Sequence, residues 1–363
     1  MEIAFGPIPS RRLGSSLGVN NIPPKHCTYN CVYCQVGRGA SLEVARRPFY
    51  PPDAILDSVR RRLELLESRG ERVDYVTFVP DGEPTLDINL GREIEAVKAL
   101  GVRVAVITNS SLLWDPSVRE DLSAADYVSF KVDAVTEHIW RAVDRPSHRL
   151  SLGSILEGIL RFAEEFRGHL VSETMLVSRI EYGDEAGKVA SFLSSVHGLR
   201  NAYIAVPTRP PAERWAGPPD RGVVIYFLAR FRELLRVPVE LLDFPERGDF
   251  GHTGDARSDI ISAALVHPLS EAAVSQILKD DGAGIEVLRE MLDSGELEEV
   301  EFLGRKYYVA RGRRSQDRSN VPRILRDDLG EAAARWTQAG NPPYDSKTLR
   351  WATTDGPRAD SER

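Results

Sequence analysis

The stretch "PPKHCTYNCVYCQVG", residues 23–37, contains all three cysteines of this 363-residue chain. Cys27, Cys31 and Cys34 follow the pattern Cys-x3-Cys-x2-Cys, with Tyr33 directly before the last cysteine. Disulfide frameworks use even numbers of cysteines and belong to oxidising compartments, so three clustered thiols need another explanation. The spacing predicts a metal centre with three thiolate ligands.

The nature of that centre follows from the number of ligands. A structural zinc site normally takes four protein ligands, so three thiolates alone leave it incomplete. Three thiolates can hold three irons of a four-iron cluster and leave the fourth iron open to a ligand that brings its own donors. The alternative is a zinc knuckle completed by His26 or another histidine, but His26 adjoins Cys27 and is poorly placed to reach the same metal.

Composition and charge set the broad class. The chain has 42% apolar residues, and no apolar run approaches the roughly 20 residues of a membrane span. The N-terminus "MEIAFGPIPSRRLG" begins with an acid and lacks the basic and apolar regions of a signal peptide, so we expect a cytoplasmic protein. A net charge of -7 argues against a broad nucleic-acid surface, because phosphate binding depends on Lys and Arg.

Strand-like and helix-like segments alternate beyond the cysteines. Residues 52–70, for example, carry an apolar stripe at helical spacing. Short Val/Ile/Phe-rich runs are typical of strands buried on both faces. They occupy residues 75–80, 102–108, 127–133, 170–177, 201–207 and 239–244, and a seventh precedes the cysteines near "SLGVNN". This alternation predicts an α/β fold with a parallel sheet, either doubly wound or a full or partial barrel, with ligands at the carboxyl ends of the strands.

Polar residues follow several of these strands. "PDGEPTL" (80–86) follows the strand at 75–80, and "ITNSS" (107–111) follows the strand at 102–108. On the strand at 127–133, alternation places Ser129, Lys131 and Asp133 on one face. They face either a ligand or a barrel interior in which Lys131 and Asp133 pair with each other.

These motifs together resemble those of the radical SAM superfamily. Its members carry a CxxxCxxC loop with an aromatic residue before the third cysteine, and a GGEP motif that corresponds to "DGEP" here, with Asp81 in place of the first glycine. The resemblance implies a partial (β/α)6 barrel that binds a [4Fe-4S] cluster and S-adenosylmethionine (SAM). It assigns the cluster to Cys27, Cys31 and Cys34. The cofactor-binding residues that it implies are Tyr33, Gly82, Glu83, Pro84, Thr108, Asn109, Ser129, Lys131, Asp133 and Val206.

The resemblance also implies roles within the SAM site. Tyr33 would pack by the adenine, the backbone near Val206 would contact it, and Glu83 would accept hydrogen bonds from the ammonium group. Gly82 would let the backbone approach the ligand, and Pro84 would stiffen the turn. No residue is assigned to hydrogen transfer after the first abstraction.

The opening "FGPIPSRRLGSSLGVNNIPP" (5–24) and "PTRPPAE" (207–213) resemble a branch of iron-sulfur oxidoreductases related to the wyosine synthases, which modify tRNA. That likeness spans roughly residues 5–250. Wyosine synthases carry further cysteines for a second cluster, and this chain has none. Possible substrates are therefore an RNA base, a peptide or a small molecule. Four residues are candidates for contacting the substrate, namely Arg11, Arg12, Arg209 and Glu213.

The pattern changes near residue 254. Three short helices and two strands that turn at Gly304 predict a winged-helix-like domain over residues 254–311, after a core domain over 1–253. Ser270 is the expected N-cap of the second helix. Residues 255–310 hold twelve acids against five bases, a poor surface for phosphate. Residues 312–363 lack periodicity and predict a disordered tail.

Two hypotheses follow for function. The first is a radical SAM enzyme that needs an electron donor such as flavodoxin or ferredoxin. The second is a regulator whose iron-sulfur loop senses redox state and whose winged helix binds DNA. The DGEP motif favours the enzyme, because a sensor has no need of a SAM pocket.

Overall fold

The computed structural model describes residues 3–10, 12–243, 254–266, 268–311, 344–345 and 350–351. Arg11 and most of the predicted tail therefore lie outside the described residues. None of the helices in these ranges is long and apolar enough to cross a membrane.

An eight-stranded sheet forms the body of the protein. Its strands are β1 (Ala4–Ser10), β2 (Gly14–Val19), β5 (Tyr75–Phe78), β6 (Val104–Thr108), β7 (Tyr127–Lys131), β8 (His169–Met175), β9 (Leu199–Ala205) and β10 (Val239–Leu242). Two short strands, β3 (His26–Cys27) and β4 (Ser41–Leu42), pair beside it. The six strands predicted beyond the cysteines and the one before them are all present.

Seven α-helices connect these strands. They are α1 (Pro52–Ser68), α2 (Leu90–Lys98), α3 (Pro116–Ser123), α4 (Glu137–Asp144), α5 (Leu152–Glu165), α6 (Glu185–Ser194) and α7 (Arg221–Leu234). A short 3-10 helix covers Pro84–Leu86.

The strand order decides between the two predicted architectures. The order is β1-β2-β5-β6-β7-β8-β9-β10, and the seven strands from β2 to β10 are parallel and adjacent in chain order. A doubly wound sheet would reverse its order at a switch point. The unreversed order is therefore that of a barrel, and β1 and β10 form the two ends of an open sheet, consistent with a partial barrel.

The distribution of apolar residues agrees with this description. One face of the sheet packs with the helices into the main core, which includes Val76, Val106 and Phe130. The opposite face carries a small separate cluster with Tyr127 and Tyr203. A doubly wound sheet buries both faces under helices, whereas here the second face encloses the interior of the curved sheet.

β1 was not predicted from the sequence. It pairs antiparallel with β2 and carries two prolines, which suit an edge strand because proline cannot donate to a ladder. Its Phe5 ring occupies the space beside Gly18 of β2, where an added Cβ would lie 2.1 Å from the ring.

Residues 254–311, called here the C-terminal unit, have their own core. The unit contains α8 (Ala256–Val266), α9 (Glu271–Asp280) and α10 (Ile285–Asp293), with β11 (Leu269–Ser270), β12 (Leu297–Phe302) and β13 (Arg305–Ala310) in the sheet order β11-β13-β12. Ser270 caps α9 as predicted, since its hydroxyl accepts the Ala273 amide at 3.2 Å. β12 and β13 turn at Gly304, which has a positive φ of 69°.

Within the predicted tail, only β14 (Tyr344–Asp345) and β15 (Arg350–Trp351) are described, and they pair antiparallel.

Candidate functional site

The cysteine loop, residues 27–40, is held by the end of α4. The last carbonyls of a helix lack partners inside the helix. Here the amides of the cysteine loop supply them, with Asn30 N donating to Asp144 O at 3.1 Å and Val32 N to Val143 O at 2.9 Å. The end of α4 therefore fixes the backbone of the cysteine loop at Asn30 and Val32.

The three thiols are partly exposed, and none forms a disulfide. Burial, followed by the nearby charge of Glu83, raises the pKa of Cys27 to about 12. Burial and Asp144 likewise hold the pKa of Cys31 well above its usual value. Both thiols need a nearby positive charge to become thiolates, and an iron-sulfur cluster provides one. The donor set therefore fits a cluster held at three irons.

His26 is engaged by side chains outside the cysteine loop. Its Nδ1 lies 2.7 Å from Glu43 Oε1, and its ring packs edge-on against Phe49. Across the described residues, no three His, Cys, Asp or Glu side chains converge on a single metal ion, the three cysteines included, whereas a four-iron cluster takes its thiolates on separate irons. The pairing of His26 with Glu43 argues against the zinc knuckle that His26 would complete.

The DGEP loop, residues 80–86, contacts the chain immediately before the first cysteine. Glu83 N donates to His26 O at 3.0 Å, and Lys25 N donates to Asp81 O at 2.6 Å. An added Cβ at Gly82 would lie 2.0 Å from His26 O, closer than any real contact. The glycine is thus required by the backbone of the cysteine segment, whereas the sequence analysis assigned it to the approach of a ligand.

Glu83 is fully buried and accepts hydrogen bonds from the chain itself. Its Oε1 accepts from Thr85 Oγ1 at 2.5 Å and Thr108 Oγ1 at 2.6 Å, and its Oε2 accepts from Asn109 N at 2.7 Å. Burial raises the pKa of Glu83 despite these bonds. The carboxyl group joins the ends of β5 and β6. Because its hydrogen bonds go to the protein itself, in this arrangement it supports the site indirectly.

Asn109 connects the end of β6 to the cysteine loop. Its Nδ2 donates to Thr28 Oγ1 at 2.8 Å and lies 3.5 Å from Cys27 Sγ. The next residue, Ser110, has a positive φ of 70° and accepts the Lys131 amide at 2.8 Å. A non-glycine residue in this region is a local strain that often marks a functional site.

The inner face of β7 points into the barrel, as alternation predicted. Lys131 Nζ donates to Glu173 Oε1 at 2.8 Å, and Arg12 donates to Glu173 Oε2 at 2.6 Å and to Ser129 Oγ at 3.3 Å. The salt-bridge partner of Lys131 is therefore Glu173 of β8, whereas Asp133, the partner in the sequence alternative, acts on the Lys131 pKa through its nearby charge. The two neighbouring cations lower the pKa of Glu173 to about 2, although its burial acts in the opposite direction.

Tyr33 turns inward beneath Lys131. Lys131 Nζ lies 4.7 Å from the centre of the Tyr33 ring, a cation–π distance. The Tyr33 hydroxyl donates to Asp133 Oδ2 and lies 3.2 Å from Asp144 Oδ1. Burial and the neighbouring Asp133 hold the pKa of Asp144 well above its ordinary value.

A small cavity of about 10 Å³, room for one water molecule, lies beside this group. Four of its lining residues are Tyr33, Asn109, Lys131 and Asp133. The structure thus brings together side chains from the cysteine loop, the end of β6 and the end of β7. Apolar residues of α5 complete its wall.

Two other predicted cofactor-binding residues, Val206 and Pro84, form backbone hydrogen bonds within the protein. Val206 N donates to Leu242 O at 3.3 Å, so this amide is engaged with β10. Pro84 O accepts from Asn21 Nδ2 at 3.2 Å, which ties the DGEP loop to the end of β2.

Sequence reasoning missed Glu173, Asp144 and Asn21. Glu173 lies inside a strand run that was interpreted only as a buried strand. Its inward direction follows from alternation with Leu170, which packs in the main core, but its partners come from β7 and from the segment before β2. Asp144 ends a helix, and no local pattern distinguishes it.

Comparison with known proteins agrees with this geometry. Residues 21–193 match the Radical SAM superfamily, whose enzymes use a [4Fe-4S] cluster and S-adenosylmethionine. The chain is thus a radical SAM enzyme. It belongs to the UPF0026 family, because it is 42% identical over 311 residues to a UPF0026 protein of Methanocaldococcus jannaschii, covering 85% of this chain and 96% of that relative.

Two solved structures are among the matches. A radical SAM methyltransferase from Sphaerobacter thermophilus matches with a TM-score of 0.47 and 14% identity, covering 63% of this chain and 66% of that one. TYW1 with a lysine-pyruvate adduct bound, a wyosine synthase, matches with a TM-score of 0.44 and 15% identity, covering 60% of this chain and 73% of that one. Nothing in the comparisons supports the DNA-binding alternative.

Proposed function

We propose that Cys27, Cys31 and Cys34 each bind one iron of the cluster, and that SAM binds between the cysteine loop and the carboxyl ends of β5, β6 and β7. The observation that carries this proposal is the contact between the two motifs. The DGEP loop is hydrogen-bonded to the residue directly before Cys27. Asn109 then bonds both to that loop and to the segment that follows the first cysteine.

Held by Cys27, Cys31 and Cys34, a reduced cluster would supply the one-electron chemistry for cleavage of SAM to methionine and a 5'-deoxyadenosyl radical. The protein positions the parts and excludes water. Tyr33, Asn109, Lys131 and Asp133 lie together beside the cysteine loop and are proposed to contact SAM. Another six residues are proposed to shape its site from the surrounding backbone and barrel wall, namely Gly82, Glu83, Pro84, Thr108, Ser129 and Val206.

The substrate that loses hydrogen to this radical is proposed to belong to one of three classes, an RNA base, a peptide or a small molecule. A one-electron donor such as flavodoxin or ferredoxin is the proposed reductant. Residues 1–253 would form the core domain and residues 254–311 a winged-helix domain, supported by the three helices and the sheet order β11-β13-β12. The acidic charge of that unit favours packing or protein recognition over phosphate binding.

The decisive experiment removes one ligand. Cys31→Ala is expected to reduce iron and sulfide after anaerobic reconstitution and to abolish formation of 5'-deoxyadenosine from SAM with dithionite. The melting temperature of the protein without cluster should change little, because Cys31 is partly exposed. Ser154→Ala, at an exposed position on α5, is the control and should keep wild-type iron content and activity. A Cys31→Ala variant that still produces 5'-deoxyadenosine would show that the ligand assignment is wrong.

A further inference from the structure

The loop between β9 and α7, residues 206–220, is fastened to the cysteine loop through one carboxylate. Glu213 Oε2 accepts from Arg38 Nη2 at 2.6 Å, and Glu213 Oε1 accepts from Arg145 Nη1 at 2.6 Å. Arg38 belongs to the cysteine loop, and Arg145 is the C-cap of α4. One side chain thus connects three elements that surround the proposed cluster site.

The backbone reinforces this connection. Glu213 N donates to Val32 O at 2.9 Å, between the second and third cysteines. Arg38 Nε donates to Ala212 O at 3.1 Å. The Glu213 carboxylate is 13% exposed, whereas the Arg38 side chain is 69% exposed. The Glu213 carboxylate is therefore the partly buried centre of this connection, and the Arg38 guanidinium reaches it from the protein surface.

Arg145 is held in an unusual conformation at this point. Its φ of 46° and ψ of 59° lie in the left-handed region, which costs energy for a residue with a side chain. Its guanidinium lies against Glu213, and its carbonyl accepts from Asn30 N at 3.2 Å. The same residue thus contacts both loops that Glu213 joins.

The C-terminal unit holds the other part of the β9–α7 loop. The hydroxyl of Tyr307, a buried residue of β13, donates to Thr208 O at 2.8 Å. The same unit packs on β1 at the opposite end of the sheet, where Ile8 contacts its core and Arg62 of α1 pairs with buried Asp259 at 3.8 Å. The unit therefore spans the open edge of the partial barrel, from β1 to the loop next to β10.

We propose that Glu213 is a positioning residue that locks the β9–α7 loop onto the cysteine loop, and that the C-terminal unit braces this closed arrangement through Tyr307. The sequence analysis gave Glu213 as a candidate for contacting the substrate, and in the structure its carboxylate accepts from Arg38 and Arg145. For its effect on the cluster, this inference rests on the proposed function. The lock itself is a property of the polypeptide alone.

The test measures hydrogen exchange in the full chain without cluster. Glu213→Gln removes the charge that holds Arg38 and Arg145 and should speed exchange about tenfold in residues 29–38 and 207–217. Glu157→Gln is the matched control, because Glu157 forms one exposed pair with Arg161 on α5 and touches neither loop. High salt should accelerate the same amides in the wild type and leave Glu213→Gln almost unchanged, since salt screens charge pairs.

Two further variants keep the test decisive. Arg38→Gln changes an exposed side chain and should give a smaller increase in the same two segments. Tyr307→Phe should speed exchange mainly at the Thr208 end of the β9–α7 loop. Unchanged exchange of both loops in Glu213→Gln and in Arg38→Gln would overturn the proposal.

The consequence for the cluster is measured separately. Reconstituted Glu213→Gln should contain wild-type iron but lose its visible absorbance in air about tenfold faster, because the loops cover the site less tightly. Faster loop exchange together with no iron bound to the wild type would refute the cluster assignment and leave the lock intact.

Discussion

Gly82→Ala is expected to separate the two loops that form the proposed SAM site. The added methyl group would lie 2.0 Å from His26 O and 2.9 Å from Ile22 Cδ1. Ordinary contact begins at 3.4 Å, so the DGEP loop and the His26 carbonyl must move apart by about 1.4 Å, from 3.4 minus 2.0. The nearest atom is backbone, and no side-chain rotation can relieve the clash.

The energetic cost has two parts. Overpacking of this kind costs about 1–3 kcal/mol. The shift also weakens the bonds from Glu83 N to His26 O and from Lys25 N to Asp81 O, at about 0.5–1.5 kcal/mol each. The sum is roughly 2–6 kcal/mol, a large part of the stability of a domain. A displacement near 1 Å at a reacting site can reduce a rate by about 10²-fold.

The assay combines stability, loading and turnover. Gly82→Ala should lower the urea midpoint of the protein without cluster, weaken SAM binding, and reduce 5'-deoxyadenosine formation more than iron content. Gly222→Ala is the control, because a Cβ there meets nothing within 4 Å and α7 tolerates alanine. Wild-type SAM affinity and turnover in Gly82→Ala would refute the reasoning, since they would mean that the loops need not touch.

Two other predictions concern buried polar groups. Glu173→Gln should destabilise the protein by about 3–5 kcal/mol in urea unfolding, because it leaves Lys131 and Arg12 facing each other, whereas Lys131→Met should cost less since Arg12 still pairs with Glu173. The folded pKa of Glu173, about 2, lies below its unfolded value of about 4.3. Its contribution to the free energy of unfolding is therefore fully present above about pH 4.3 and is lost as the pH falls toward 2. Glu173→Gln should remove this pH dependence of stability across that window. Thr108→Val removes one donor from Glu83 and should cost about 1–3 kcal/mol in unfolding while raising the SAM dissociation constant; equal stability of this variant would show that Glu83 does not need the bond.

The sequence predicts the sheet well because its parallel strands are buried on both faces and appear as short apolar runs. It does not predict β1, whose pattern "AFGPIPS" contains glycine and two prolines. Its position at the edge depends on pairing with β2 and on the fit of Phe5 beside Gly18, which are contacts between segments. The choice of a barrel over a doubly wound sheet likewise required the order of the strands.

The sequence predicts those parts of the candidate site that lie within local motifs. Spacing identifies the cysteines, and alternation identifies the inward face of β7. The partners of those side chains come from distant segments, so the pairing of Lys131 with Glu173 and the role of Glu213 could not be found in the sequence. Whether two charged residues on separate strands lie next to each other cannot be predicted from the sequence until the order of the strands is known.

The residue types of the DGEP motif, which resembles a ligand-binding motif, are also explained by contacts within the protein. Gly82 is small because the His26 carbonyl occupies the space of its side chain, and Glu83 is acidic because Thr85, Thr108 and the Asn109 amide all donate to it. Both requirements arise within the protein, before a cofactor binds. A chain that keeps the DGEP loop against the residue preceding its first cysteine thereby fixes the distance between the two motifs. Preorganisation of this kind lowers the cost of ordering the loops when SAM binds, so substitutions behind the loop should weaken SAM binding without touching SAM itself.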